Sequence, residues 1–160
     1  MNFTATLLAL IFVLSAGGNA AEKLSEQDLL AMVSYDLGPA AIDVSSYPDH
    51  YKQTYALFMR KCSLCHTPAR AINFPTVTRE DWTRFLMIMH GRSRSTLLET
   101  HEAQALADFL AYDAAQRKLN HAEDYARLLD ALDLRFKAVQ AERARRAASK
   151  NSGGSTLQKE

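Results

Sequence analysis

No stretch of this chain alternates apolar and polar residues for long enough to make a strand. Apolar side chains recur instead at spacings of three and four, the period of a helix buried along one side. Tyr51, Tyr55, Phe58 and Cys62 follow spacings of 4, 3 and 4, so a helix opening near residues 46–48 carries all four on its inward face. Ser25 with Asp28, and Thr78 with Asp81, have the spacing of capping boxes that start helices. "LGP" at 37–39 stops the first of these, and Gly91 ends the second, "REDWTRFLMIMH". Residues 67–77 between them read as loop, marked by Pro68, Asn73 and Pro75. A further helix runs from about His101 to Lys118 on an apolar stripe of Leu106, Phe109 and Leu110. Asn120 and Glu123 cap a last one, whose acidic first turn and basic last turn (Arg143, Arg145, Arg146) suit the helix dipole. The expected fold class is all-α.

The first 21 residues follow another logic. "LLALIFVL" at 7–14 and the small residues of "SAGGNAAEK" have the pattern of a secretory signal peptide cleaved after Ala20 or Ala21, although "MNFTAT" adds no Lys or Arg. The alternative is an uncleaved anchor. A spanning helix needs about 20 apolar residues, and polar or small ones begin at Ser15, which favours export. Neither cysteine follows the apolar run, so a lipid-modified amino-terminal cysteine is not available. The mature chain is expected in the periplasm, soluble or peripherally attached, without a transmembrane segment. The division expected is 1–21 signal peptide, 22–47 helix and linker, 48–118 main domain, 119–149 carboxy-terminal amphipathic helix, and 150–160 a polar Gly/Ser-rich tail without structure.

About 140 residues then remain, enough for one domain with a core. Their charge comes in blocks: net −5 over residues 22–50, +6 over 51–98, −5 over 99–133 and +5 over 134–160. The first positive block surrounds "KCSLCHTP", residues 61–68, which holds both cysteines of the chain and a histidine directly after the second. A Cys62–Cys65 disulfide would close a very small ring and leave His66 without a role. A thioredoxin-like site needs a βαβ context that is absent here. Structural zinc needs four ligands, and only three stand close together. C-x-x-C-H suits covalent haem: the thiols add across the two vinyl groups and His66 reaches the iron. Export agrees, because haem is attached outside the cytoplasm. There is no second such motif, no Gly-rich phosphate loop and no Ser/His/Asp arrangement. No nucleic-acid partner is expected.

"CSLCH", "WTRFLMIM" (Trp82 to Met89) and "EAQALADFLAY" together make residues 48–115 resemble the class I c-type cytochromes, in particular short bacterial monohaem domains with C-x-x-C-H followed by W-x₆-M. The resemblance implies that Cys62 and Cys65 are the thioether residues and His66 the proximal ligand, with Met89 as sixth ligand and Trp82 packed near the haem edge. It implies one haem c, its iron held by His66 and Met89, and a helical haem domain that carries single electrons between proteins. The segment before residue 45 and everything after about 118 depart from the pattern.

The residues themselves bear on the sixth ligand. Trp82, Phe85 or Leu86, and Met89 share one helical stripe, whereas Met87 points some 200° away. His90, one residue on, is the alternative ligand, and Met59 reads as core packing. His66 needs its second ring nitrogen held, and a backbone carbonyl of the loop 67–75 is the expected acceptor. Arg60, Lys61, Arg70, Arg79, Arg84, Arg92 and Arg94 could pair with haem propionates and ring the haem edge to steer an acidic redox partner, or form a solvated surface. Tyr125, Leu129, Leu132, Phe136 and Val139 make a short heptad seam. Residues 121–146 then either join a second copy or a complex, or fold back on the core. Two further functions stand beside the carrier: a haem subunit of a larger oxidoreductase or respiratory complex, and a five-coordinate haem used for peroxidase chemistry or gas sensing.

Overall fold

The computed structural model describes residues 23–93 and 98–153, and they are all-α. The expected signal peptide, Arg94 and the last seven residues lie outside the described residues. Five α-helices follow two 3₁₀ turns: α1 (Asp49–Cys62), α2 (Ala69–Ile72), α3 (Arg79–Arg92), α4 (Thr100–Ala114) and α5 (Ala122–Gly153). None is long and apolar enough to cross a membrane.

The reciprocal bonds expected of Ser25 and Asp28 form, at 2.8 and 3.1 Å. What they start is not one helix but the 3₁₀ turns Asp28–Leu30 and Ser34–Leu37. Asp36 accounts for the second, because its carboxylate accepts the amides of Met32 and Val33 and so diverts the backbone from the helical ladder. Residues 67–77 also differ from expectation, since Pro68 opens the one-turn helix α2 within them. Thr78 caps α3 through the Asp81 amide at 3.1 Å. Gly91 does not end that helix: its φ is not positive, and the helix runs on to Arg92, where Ser93 bonds back to Met89 and His90. α4 continues into a π turn, Ala115–Leu119, across the expected boundary at residue 118. α5 starts at Ala122, one residue later than an Asn120 cap would place it, and runs to Gly153, into the expected tail.

The core is aromatic. Phe58 of α1 and Phe109 of α4 are buried with their rings 6.1 Å apart, and Tyr51 stacks on Tyr112 at 4.4 Å. α4 packs on both α1 and α3. α5 lies instead against the two 3₁₀ turns. Its heptad seam faces this amino-terminal segment, with Leu132 and Val139 buried and Tyr125, Leu129 and Phe136 half-buried. Arg143 donates to the carbonyls of Leu29 and Ala31. Arg135 pairs with Asp28, and Arg146 with Glu26. The seam is therefore occupied within the chain, and the positive block of α5 meets the negative block of residues 22–50.

Candidate functional site

One cavity of about 410 Å³ gathers the residues singled out above. α1 ends at Cys62, and the turn after it brings Cys65 and His66 to the same rim. The α3 stripe supplies the facing residues Trp82, Phe85, Leu86 and Met89. Phe74 meets Phe85 edge-on at 4.9 Å and Trp82 at 6.3 Å, which closes the wall with rings. Leu98 and Leu110 complete it. Met87 is exposed, as its place on the helix requires. His90 lines a separate hollow between α3 and α4 with Arg79 and Ala103, so the fold parts Met89 from its alternative.

His66 Nδ1 lies 2.9 Å from the Thr67 carbonyl. A carbonyl can only accept, so Nδ1 is the donor in this contact and Nε2 is the nitrogen left to face another partner. Both thiols are free. Burial, reinforced by Cys65, pushes the Cys62 thiol up to about 12. It is therefore protonated at neutral pH and a poor thiolate ligand for a metal. Trp82 is buried, and its Nε1–H has no hydrogen-bond partner among the described residues. Such an orphaned donor is costly unless something else accepts it.

The basic residues around the motif divide. Arg70 lines the cavity and forms a two-pronged pair with Asp36 at 2.8 and 2.7 Å. Lys61 meets Glu102 at 3.2 Å, Arg84 meets Asp81 at 3.4 Å, and Arg79 pairs with Asp108. Arg60 and Arg92 are exposed, and Arg92 stands at the cavity. Much of the positive block thus answers acids elsewhere in the chain. No protein family, no curated protein and no solved structure matches this chain. Among the described residues no group of three or more His, Cys, Asp or Glu converges as a ready-made metal site.

The sequence did not single out Phe74, which lay in a segment read as loop, nor the cluster behind the cavity. There Asp113 is buried, accepts Tyr47 Oη at 3.0 Å and binds both prongs of Arg117. Arg117 also donates to the Ile72 carbonyl, Tyr125 to Asn73, and Lys118 to Phe74 and Thr76. Four carbonyls of residues 72–76 are thereby held by the π turn and α5. The only hint was the i, i+4 pair Asp113–Arg117 inside the apolar run "LAYDAAQRKL".

Proposed function

We propose that this cavity holds one covalently attached haem and that the protein is an exported c-type cytochrome carrying single electrons between redox partners. The observation that carries this reading is the convergence of the whole C-x-x-C-H motif and Met89 on one aromatic-walled cavity, with His66 held through Nδ1 by the Thr67 carbonyl. The donor set fits such a group. Cys62 and Cys65 would attach it, His66 Nε2 and the Met89 thioether would hold its iron, and the unpartnered Trp82 Nε1–H would donate to a carboxylate at its edge. When bound, the haem supplies one-electron redox chemistry.

The chain's own residues do the rest. The Thr67 carbonyl fixes the imidazole and strengthens it as a ligand. Phe74, Trp82 and Phe85 keep water from the wall. Were His66 and Met89 both to hold the iron, no position would be left for a substrate, which would favour a carrier over a peroxidase or sensor. Arg92, exposed at the cavity, is a candidate contact for an acidic partner.

The test is the purified mature protein. Its mass should exceed that of the chain by one haem, the reduced spectrum should be low-spin without carbon monoxide binding, and the oxidised form should show a weak sulfur-to-iron band near the red end. Met89→Ala should abolish that band. A chain without covalent haem refutes the reading, and a bis-histidine spectrum moves the sixth position to His90.

A further inference from the structure

Lys118 is a cation buried to 3 % exposure at the back of the site. Its Nζ donates to the Phe74 carbonyl at 2.5 Å and the Thr76 carbonyl at 3.3 Å. It lies 5.3 Å from the centre of the Trp82 ring and 5.7 Å from that of Tyr125. Trp82 is therefore shared, lining the cavity and receiving the ammonium over its ring. No carboxylate forms an ion pair with Lys118 among the described residues, and Asp113, at the end of α4, is engaged by Arg117 and Tyr47.

We propose that Lys118 is a redox-linked proton site: its ammonium, held over the indole that lines the cavity, favours the reduced state of the centre bound there, and loss of the proton from Nζ withdraws that support. This rests on the reading of the cavity as a haem site. Reduction adds one negative charge, which a nearby buried cation stabilises and a neutral amine does not. One electron enters from a protein redox partner. Above the lysine's pKa, up to one solvent proton joins Nζ with it, and no other bond is made or broken.

Burial, with Arg117 alongside, lowers the Lys118 pKa to about 8. The other titratable and charged groups facing it are Asp113 from the end of α4, Arg117 from its own turn, Tyr125 from α5, and Tyr47 across Asp113. Asp113 and Arg117 form a closed pair. Burial raises both phenols, Tyr125 to about 12 and Tyr47 beyond it. Residues 74–76 present only carbonyls to the ammonium, and α3 presents the indole. Lys118 is thus the member of this cluster placed to exchange a proton near neutrality.

The test is the midpoint potential of the holoprotein from about pH 6 to about pH 10, wild type against Lys118→Met and Lys118→Arg. The wild type should fall through one step near pH 8. The step should be on the order of tenfold in electron affinity, ~59 mV for a one-electron couple. Lys118→Met should lie on the alkaline plateau at every pH. Lys118→Arg, whose charge does not titrate in this range, should hold the acid plateau throughout. If the Met variant does not fold, the Arg variant still decides, because a step lost there assigns the proton to Nζ. A step that persists in Lys118→Arg, or a flat wild-type profile, overturns the proposal. Absence of covalent haem from the wild type overturns the reading beneath it, a separate and visible failure.

Discussion

The two halves of this molecule are held together by different chemistry. Around the cavity, α1, α3 and α4 meet through buried rings and aliphatic side chains, and the contiguous apolar core runs from Tyr47 to Leu110. α5 spans 32 residues, yet among its described side chains only Leu132 and Val139 are buried hydrophobics. It is fastened by guanidinium groups instead, through Asp28 and the carbonyls of Leu29 and Ala31. Apolar burial is non-directional and has no charge to screen or titrate, whereas the fastening of α5 needs its charges. The first half should behave as one cooperative core, and the second as a brace that conditions can loosen.

Four substitutions or conditions probe that contrast, from the largest expected effect downward. Phe109→Ala empties the centre of the α1–α4 contact and should cost about 4 kcal/mol in denaturant unfolding. A loss under 1 kcal/mol would mean that the rings are not the core. Asp113→Ala leaves the half-buried Arg117 without its carboxylate and the Tyr47 hydroxyl without its acceptor, and should cost about 3 kcal/mol. Because Arg117 holds the Ile72 carbonyl, this variant should also loosen the cavity wall, seen as faster amide exchange there. Arg143→Met removes three charged hydrogen bonds to two carbonyls and should cost about 2 kcal/mol. Here the exchange should speed up at residues 28–37 and leave α1 and α4 unchanged. Equal acceleration everywhere would erase the distinction between core and brace.

The smallest effect concerns acid. Burial alone would raise the Asp36 carboxyl, but the Arg70 guanidinium and the amides of Met32 and Val33 outweigh it and hold it below the ordinary carboxylate range. A carboxyl depressed by folding lends stability above its unfolded pKa of about 3.9 and gives it up as pH falls through the folded value. Below about pH 4, therefore, the amino-terminal turns should loosen before the aromatic core does. Asp36→Asn should be less stable at neutral pH and lack this acid step. Circular dichroism of both proteins from neutral pH downward would settle it.

What the sequence made legible was local. The Thr78–Asp81 cap, the inward face of α1 and the opposition of Met87 to Met89 all follow from helical period and from bonds spanning three residues. What it hid was pairing at a distance. Nothing local says that the heptad seam of α5 is covered by residues 23–47, because a seam looks the same whether its partner is another chain or the other end of its own. The alternating charge blocks looked like solvated faces until the fold set Arg135 and Arg146 against Asp28 and Glu26. Lys118 read only as the end of a helix. The π turn carries it inward, and a turn that departs from the 3.6-residue period defeats any reading based on that period.

The bonds from Arg135, Arg143 and Arg146 to the amino-terminal segment join residues 107 to 120 positions apart. Contacts of that separation must bear most of the chain's closure entropy before they return any stability, so they form late. The helices around the cavity can assemble from nearer neighbours, while the brace waits for α5 to emerge. α5 follows every other described helix in the chain and seals the first residues of the described fold, so the order of assembly is written into where its arginines lie.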